Sequence, residues 1–351
     1  MTSTAAVESS IDTVAPQICS GQGCIIAVSG GVDSVALAHA VTRRLGAGMK
    51  PLIAHFDHRT RSRREHEQDQ QTVLDLGRAL GTPVVTGSAS ESPFLRGGSG
   101  GPESSARDRR YHFLGALSRS CGRNIVLTAH TRDDQIETVV MRLLAGIDST
   151  LLRGIARIQQ LDHLTVVRPF LELPKEVIAE YANESGLCWS EDRTNRSNEF
   201  RRNYVRNLLL PSARSQWPSF DHDVMRLQRL FALRAAESDS LAAAIHAQVQ
   251  GDRVTIDAVS FFSSTREARL QFLYDALRRI GALSRDDRPS HRFFAPLLGE
   301  RPNKSGTLLQ GRGIRASILG DAVVVKRLLS ALRNEGIFEG QRKETERKGN
   351  A

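Results

Sequence analysis

Short apolar runs alternate with segments of helical periodicity along the first part of the chain. The runs predict strands and the periodic segments predict helices, because side chains repeat every two residues in a strand and about every 3.6 in a helix. The predicted strands are Cys24–Val28, Leu52–His55, Pro83–Thr86, Asn124–Ala129 and Thr165–Arg168, and the predicted helices are Val35–Leu45, Glu65–Leu80, Glu103–Ser120, Asp134–Leu144 and one that begins at Pro174. This alternation predicts an α/β fold, a parallel sheet with helices on both faces.

A different pattern follows Pro218. Asp221–Val249 has helical spacing throughout, and further on we predict the strands Arg253–Asp257, Thr307–Leu309 and Ala322–Lys326 and the helix Arg266–Ile280. These elements indicate a smaller helical/α+β domain. The resulting domain scheme is a flexible tail at 1–19, a first domain at 20–215, a second at 216–330 and a charged tail at 331–351.

Composition narrows the class of protein. Lys and Arg outnumber Asp and Glu by 48 to 39, a net charge of +9, which fits a nucleic-acid partner and an ordinary solvated basic surface equally well. The four cysteines form no C-x-x-C pair and have no zinc-like spacing to histidines, so neither a disulfide framework nor a Cys-ligated metal site is indicated. The first basic residue is Arg43 and no apolar run is long enough to span a membrane. We therefore expect a cytoplasmic protein.

The segment Ser-Gly-Gly-Val-Asp-Ser at 29–34 carries the strongest chemical signal. It lies between the first predicted strand and helix, where glycines let the backbone approach an anion and the N–H groups of a helix start can bind it. A carboxylate beside phosphates needs a bridging cation such as Mg²⁺. The alternative is a simple turn that caps the helix. The candidate phosphate-binding residues are Ser29, Gly30, Gly31, Val32, Asp33 and Ser34, and His55, at the end of the second strand, is expected over the nucleotide.

Two charged clusters follow other strand ends. His130, Asp134 and Glu137 share one helix face after the fourth strand, and Asp134 is a candidate Mg²⁺ ligand; the alternative is an acidic first turn that complements the helix dipole. Arg107 and Arg110 lie one helical turn apart and are candidates for neutralising phosphate charge, unless they merely form a charged helix face.

An arginine- and asparagine-rich stretch spans 191–207. Arg202 and Arg206 lie one helical turn apart, and Asn195 and Asn203 lie nearby. Arginines suit the RNA backbone and asparagines suit base edges, so the stretch is a candidate RNA-binding surface; a solvated basic face is the alternative.

In order along the chain, these motifs resemble the tRNA(Ile)-lysidine synthetase family of the PP-loop ATP-pyrophosphatase superfamily. The shared pattern runs S-G-G-x-D-S at 29–34, H-x-x-H-x-x-R at 55–61, A-R-x-x-R-Y at 106–111, A-H-x-x-D-D-Q-x-E-T at 129–138, R-P at 168–169, and D-x-T-N with R-N-x-x-R across 192–206. The resemblance implies an adenine nucleotide alpha-hydrolase-like fold, with a PP-loop ATP-binding catalytic domain at 20–215 and a smaller tRNA-contacting domain at 216–330. It also implies that ATP adenylates the cytidine at the first anticodon position of an isoleucine tRNA with a CAU anticodon, and that free lysine then displaces AMP.

The resemblance also implies roles for individual residues. Asp33 and Asp134 would hold Mg²⁺, Arg110 with Arg107 would stabilise pyrophosphate, and His130 would contact the nucleotide or the cytidine. Either Asp134 or Glu137 would receive the lysine amine, and Asn195, Arg202, Asn203 and Arg206 would bind tRNA. Two alternatives stay open, a PP-loop enzyme of tRNA sulfur transfer and a catalytically inactive RNA-binding homologue. A homodimer also stays open.

Overall fold

The computed structural model describes residues 2–19, 23–45, 51–59, 63–89, 102–146, 152–190, 201–283, 289 and 291–328. They form two compact units, Met1–Leu233 and Arg234–Ala351. The units divide inside a long helix, later in the chain than the predicted boundary at 215/216. The predicted charged tail at 331–351 lies outside the described residues. No helix in the described ranges is long and apolar enough to cross a membrane.

A six-stranded sheet forms the centre of the first unit, with strand order β3-β2-β1-β4-β6-β5. Its strands are β1 (Cys24–Ala27), β2 (Leu52–Asp57), β3 (Val84–Ser88), β4 (Ile125–Leu127), β5 (Ile158–Leu161) and β6 (Leu164–Val167). All pairs are parallel except β5–β6, an antiparallel hairpin at the edge. The predicted mostly parallel α/β fold is confirmed. The edge strand β5 was not predicted because its sequence, Ile-Gln-Gln-Leu, has no apolar run.

Helices cover both faces of this sheet. They are α1 (Ser3–Asp12), α2 (Ala15–Cys19), α3 (Val32–Leu45), α4 (Arg63–Leu80), α5 (Pro102–Cys121), α6 (Arg132–Leu144), α7 (Lys175–Glu184), α8 (Arg201–Tyr204), α9 (Leu210–Gln216) and α10 (Phe220–Ala243). Successive residues of β1 point to opposite faces. Ile25 packs with Leu114 of α5, whereas Ile26 packs with Leu37 of α3 and Ile178 of α7. Strands buried on both faces explain the continuous apolar runs in the sequence.

The order of the strands determines where a ligand can bind. The chain builds β2 and β3 on one side of β1, and β4, β6 and β5 on the other. The helices that follow β1 and β4 therefore diverge and open a crevice at the carboxyl ends of these two strands. The Ser29–Ser34 segment follows β1 and the His130–Glu137 segment follows β4, so the fold brings the two strongest motifs together.

The prediction of a flexible tail at 1–19 is wrong. This segment forms α1 and α2, and its apolar side chains, Val7, Ile11, Val14 and Ile18, are at most 1% exposed within the main core of the first unit. Polar contacts add to the packing, since Ser3 donates to Glu184 and Arg44 forms two hydrogen bonds to Asp12. The four apolar positions have helical spacing, but they are diluted by small polar residues, which made the segment resemble a loose tail.

The second unit is built on an antiparallel sheet with strand order β7-β8-β11-β10-β9. Its elements are β7 (Ala247–Gln250), β8 (Arg253–Asp257), α11 (Ala258–Ser263), α12 (Arg266–Arg279), α13 (Ala295–Leu298), β9 (Gly306–Gly311), β10 (Ile314–Leu319) and β11 (Ala322–Arg327). The predicted α+β character is confirmed. Two details differ. The helix predicted to reach Val249 ends at Ala243, because 247–250 pairs with β8 around the turn at Gly251, and β10 was not predicted.

We expect Ile11→Ala to destabilise the first unit by about 2–4 kcal/mol, because it leaves a cavity in a core that the rest of the unit shares. Both tryptophans, Trp189 and Trp217, lie in this unit, so their fluorescence during urea unfolding of the full chain reports its stability. Glu8→Ala, on the exposed side of the same helix, is the control. Equal midpoints for the two variants would contradict the packing role of α1.

Candidate active site

The Ser29–Ser34 segment turns the chain from β1 into α3. Gly30 has a φ of 100°, which lies in the left-handed region that favours glycine, and a Cβ there would meet the backbone oxygen of Asp69 at 3.4 Å. The carbonyl of Gly31 accepts a hydrogen bond from the Val35 amide at 3.1 Å. The helix therefore begins at once, and the N–H groups of its first residues have no acceptor within the helix. Such groups stabilise an anion at the helix N-terminus.

The two serine hydroxyls of the loop differ in their surroundings. Ser34 Oγ accepts from the Ser29 amide at 3.1 Å and donates to the carbonyl of Gly31 at 2.9 Å, so it braces the loop from inside. Ser34 is only 6% exposed. Ser29 Oγ lies 3.1 Å from Ser34 Oγ and lines the cleft. Of the two, the Ser29 hydroxyl is therefore the better placed to contact a ligand.

Asp33 is a partly buried carboxylate in the first turn of α3. Burial raises the pKa of its carboxyl to about 6; Lys175 counteracts this shift and the negative charge of Asp134 adds to it. Lys175 Nζ lies 3.5 Å from Asp33 Oδ2, whereas Asp33 Oδ1 has no hydrogen-bond partner among the described residues. A carboxylate oxygen left without a donor fits a hard cation.

Asp134 is held by the start of α6. Thr131 caps the helix, and Asp134 Oδ2 accepts hydrogen bonds from the Thr131 amide at 2.9 Å and from its hydroxyl at 3.1 Å. Asp134 Oδ1 accepts from Arg202 Nη2 at 3.0 Å. Burial opposes ionisation, but His130, the Thr131 amide and Arg202 together lower the pKa of Asp134. Asp134 is therefore an ionised carboxylate at neutral pH.

Glu137 lies one turn further along α6 and is 2% exposed in its side chain. Arg206 contacts both of its oxygens, at 2.5 and 2.9 Å, and Arg202 Nε donates to Oε2 at 3.0 Å. The two arginines and two carboxylates form one ion-pair network. The basic stretch that the sequence assigns to RNA thus turns at least these two arginines toward the acidic face of α6.

A π-helical turn at Val205–Leu209 joins α8 to α9 and carries Arg206. Such turns are rare in proteins, and those that occur are often found at functional sites. Arg214, in α9, bonds Asp133 at 2.8 Å and Asp221 at 2.9 Å. Asp133 in turn accepts from the backbone amide of Lys175 at 2.9 Å. These bonds join the starts of α6 and α7 to the α9–α10 segment.

Arginines gather on the opposite wall of the cleft. The guanidinium carbons of Arg107 and Arg110 lie 5.0 and 5.5 Å from the ring centre of Tyr111. Burial lowers the pKa of Arg110, and its Nε has no hydrogen-bond partner among the described residues. Burial also lowers the pKa of the fully buried Arg168, and its Nε likewise has no hydrogen-bond partner among the described residues. Its other two nitrogens donate to the carbonyl of Ala156 and to the side-chain amide oxygen of Gln159. Desolvated guanidiniums of this kind favour an anion.

Three histidines near the arginines are neutral at pH 7. Burial lowers the pKa of His130 to about 3 and that of His58 to about 4, with neighbouring arginines adding to the effect. Burial also lowers the pKa of His55, whose Nδ1 lies 2.9 Å from the carbonyl of Val28. Because that carbonyl accepts only, His55 Nδ1 carries the proton and its Nε2 is an acceptor.

Most of these groups line one cleft with a volume of about 1270 Å³. Most candidate residues from the sequence line it: Ser29, Gly31, Val32, Asp33, Ser34, His55, Arg107, Arg110, His130, Asp134, Arg202, Asn203 and Arg206. Gly30 shapes the loop, Glu137 lies behind Arg206, and Asn195 is outside the described residues. The structure adds Lys175, Trp189 and Asn207 to the lining. Pro174 signalled a helix start in the sequence, but only the sheet order shows that this helix start faces Asp33.

A metal ion in this cleft would have few protein ligands. Within the described ranges, no group of three or more His, Cys, Asp or Glu side chains is arranged to hold a metal ion. Mg²⁺ nevertheless needs only one or two carboxylates when substrate phosphates supply the other ligands. The unpartnered Oδ1 of Asp33 fits that mode, which differs from a complete protein metal site.

Comparison with known proteins agrees with this architecture. A family model of the PP-loop domain matches residues 4–213. The tRNA(Ile)-lysidine synthase of Deinococcus deserti is 31% identical over 281 residues, which cover 80% of this chain and 50% of that protein. The tRNA(Ile)-lysidine synthase of Bradyrhizobium diazoefficiens is 31% identical over 286 residues, which cover 75% of this chain and 74% of that protein. The chain spans about half the length of several such relatives.

A solved structure shares the fold. The U34-tRNA thiolase NcsA from Methanococcus maripaludis, determined with its [4Fe-4S] cluster, superposes with a TM-score of 0.53. It is 13% identical, over 65% of this chain and 77% of its own. This similarity confirms the adenine nucleotide alpha-hydrolase-like fold and extends no further.

We expect Asp33→Asn to stabilise the ligand-free first unit by about 1–3 kcal/mol at about pH 7.5, because the folded protein raises the pKa of this carboxyl and so disfavours its charge. The folded state holds the proton more tightly, so the wild type loses stability as pH rises from the ordinary pKa of Asp toward about 6. The gain of the variant should therefore shrink below about pH 6.

Urea unfolding followed by tryptophan fluorescence at several pH values measures the difference. Asp75→Asn, at an exposed position on α4, is the matched control and should change stability by less than about 0.5 kcal/mol. An Asp33→Asn variant that is less stable than wild type at pH 7.5 would contradict the prediction that the charge of Asp33 destabilises the folded protein.

Proposed function

The chain belongs to the tRNA(Ile)-lysidine synthase family of PP-loop proteins, and on that premise we propose that it uses ATP and Mg²⁺ to join lysine to a cytidine of tRNA(Ile). One observation carries the proposal. The helix start that suits phosphates and Asp134, the arginine-bound carboxylate that suits an amine, line the same cleft. A tRNA substrate implies a reaction in the cytoplasm.

The proposed reaction has two steps. The C2 oxygen of the cytidine at the first position of a CAU anticodon attacks the α-phosphorus of ATP, the bond between the α- and β-phosphates breaks, and pyrophosphate leaves. The ε-amine of free lysine, having lost a proton, then attacks C2. AMP leaves with the former C2 oxygen, the amine releases a further proton, and the product is lysidine.

The phosphates of ATP are assigned to the start of α3. The N–H groups of Val32 and Asp33 point out of the helix, and the Ser29 hydroxyl lies beside them. Gly30 and Gly31 let the backbone turn tightly enough to expose these donors, and Ser34 braces the turn. His55, with an acceptor nitrogen on the cleft wall, is assigned to the nucleoside part.

Asp33 and Asp134 are the carboxylates that would hold Mg²⁺. Asp33 fits best, because its Oδ1 has no hydrogen-bond partner among the described residues and burial disfavours its charge even beside Lys175. The ion, when bound, would neutralise phosphate charge and polarise the phosphoryl oxygens.

Arg110 and Arg107 are assigned to the pyrophosphate. Negative charge grows on the leaving group as the bond to the α-phosphate breaks, and a guanidinium already removed from water stabilises that charge strongly. Arg110 meets this condition because burial lowers its pKa and its Nε has no partner among the described residues. Arg168 is fixed behind Tyr111 and adds positive charge to the same region.

Asp134 is the carboxylate assigned to the lysine amine. It lines the cleft, whereas Glu137 is 2% exposed and has both oxygens bound by arginines. Glu137 would then position Arg206 and Arg202. Lysine would share Asp134 with Arg202, which donates a hydrogen bond to Asp134 Oδ1. His130, neutral and beside Asp134, is assigned to the cytidine, and Asn203 and Asn195 to the tRNA around it.

The products of the reaction test the proposal. We expect purified protein with ATP, Mg²⁺, lysine and a tRNA(Ile) transcript carrying CAU to release AMP and pyrophosphate in step with lysine incorporated into the tRNA. A transcript with U at the first anticodon position is the matched control and should take up none. Release of ADP, or nucleotide cleavage that a sulfur donor stimulates and lysine does not, would overturn the proposal.

Lys175 is a further candidate for phosphate binding. The Ser29–Ser34 loop lacks the lysine of a Walker A motif, and Lys175 Nζ lies 3.5 Å from Asp33, beside the phosphate-binding helix start. Its backbone amide is fixed by Asp133, which holds the start of α7 in place. The ammonium can therefore pair with Asp33 in the free protein and with a phosphate when ATP is bound.

We expect Lys175→Met to weaken ATP binding about 10-fold while AMP, which lacks the outer phosphates, binds nearly as before. Lys175→Arg keeps the charge and should recover most of the ATP affinity. Quenching of Trp189, which lines the cleft, measures both affinities in a Trp217→Phe background. Equal ATP affinities for Lys175→Met and the parent would limit Lys175 to neutralising Asp33.

A further inference from the structure

One part of the wall of the cleft is apolar. Four side chains line it where the end of β2 meets the middle of α5: Ala54, Phe56, Phe113 and Leu114. Ala54 and Phe56 point to the same face of the sheet, because side chains alternate along a strand. The ring centres of Phe56 and Phe113 lie 5.4 Å apart, and the ring planes form an angle of 32°. The two rings give the cleft a broad apolar surface on which a flat ligand group can pack.

Gly87 of β3 makes room for the ring of Phe113. Gly87 pairs with Phe56 across the two strands, and a Cβ at Gly87 would overlap the ring of Phe113. Any larger residue at this position would therefore displace the ring. The ring can lie directly against the edge strand because β3 has no side chain there.

His58 adds a single polar atom to this wall. Its ring packs edge-on against Phe56, with ring centres 5.0 Å apart and ring planes at 78°. His58 lines the cleft, and its buried Nδ1 has no hydrogen-bond partner among the described residues. Burial and the nearby charge of Arg110 lower the pKa of His58 to about 4, so the ring is neutral and keeps one acceptor nitrogen. A buried nitrogen without a partner costs free energy, which a ligand with a matching group would recover.

The apolar wall continues the face of α5 that carries the arginines assigned to pyrophosphate. Phe113 and Leu114 follow Arg110 by about one helical turn, and all three residues line the cleft. The phosphates and the base of one nucleotide can therefore lie along a single helix face, with the ribose between them.

The cytidine of the tRNA needs the other side of the cleft. Its C2 must be open to the lysine amine assigned to Asp134, and Asp134 lies on α6. The apolar wall belongs to β2 and α5, which leaves it for the base of the nucleoside triphosphate.

We propose that this wall holds the adenine of ATP and that His58 selects it, with His58 Nδ1 accepting a hydrogen bond from the 6-amino group. His58 then carries its own proton on Nε2. The inference rests on the proposed function for ATP as the substrate, and it adds what distinguishes ATP from other nucleoside triphosphates. Guanine has a carbonyl oxygen where adenine has the amino group, so two acceptors would face each other.

Two ligands and two variants of the full-length chain test this contact. The ligands are ATP and purine riboside 5′-triphosphate, which lacks only the 6-amino group. His58→Phe removes the nitrogen and keeps a ring beside Phe56. His112→Phe, at an exposed position on α5 outside the lining of the cleft, is the matched control. Quenching of Trp189 in the Trp217→Phe background measures binding without tRNA or lysine.

We expect the parent and His112→Phe to bind ATP about 10-fold more tightly than the purine analogue, whereas His58→Phe binds the two with equal affinity. GTP should bind the parent about 10- to 100-fold more weakly than ATP, and His58→Phe should narrow this difference. Each comparison uses two ligands on the same protein, so a smaller folded fraction of a variant would not produce the result.

Equal affinities of the parent for ATP and the purine analogue would overturn the proposal, as would a preference for ATP that His58→Phe keeps. Unchanged nucleotide affinities together with a raised KM for the tRNA(Ile) transcript would assign the wall to the cytidine and overturn it as well. A parent protein that binds neither triphosphate would instead refute the proposed function.

Discussion

Charge that the protein compensates only in part is the physical constraint on which the cleft depends. Asp33 has a raised pKa despite Lys175, and Arg110 has a lowered pKa. Asp33 Oδ1 and Arg110 Nε have no hydrogen-bond partner in the part of the chain that the structure describes. Both ions would be more stable in water. The surrounding sheet and helices are rigid enough to keep them in place, so a ligand that carries a cation and phosphates can relieve both costs at once.

The two walls of the cleft differ in how their buried charges are neutralised. On the α6 wall, Asp134 and Glu137 are neutralised by Arg202 and Arg206 within the protein. Breaking such a buried pair by removing one partner is costly, so the network orders α8 and the π-helical turn against α6. Under the proposed function, lysine brings an ammonium to this wall and ATP brings phosphates to the other. The asymmetry of the walls then separates the two substrates.

Sequence periodicity was reliable where strands are buried on both faces. The runs around β1, β2 and β4 are continuous and apolar, and the loops that follow them hold the candidate residues, so the main site followed from the chain order and the rule for strand ends. It failed at α1, whose apolar residues are spread among Ser and Thr, and at β5, an edge strand that needs few apolar residues. Lys175 also escaped, because its partner Asp33 lies far along the chain.

The sequence by itself determined which residues bear the chemistry: the glycine turn, the carboxylates of α6, the arginines of α5 and the basic stretch around Arg202. Tertiary structure decided how their charges pair. Arg202 and Arg206 are predicted to bind RNA, and the fold pairs both of them with Glu137. Arg253 and Lys326 of the second unit likewise become neighbours only through strand register. Electrostatic energy depends on distance in space, which a periodic pattern along the chain does not encode.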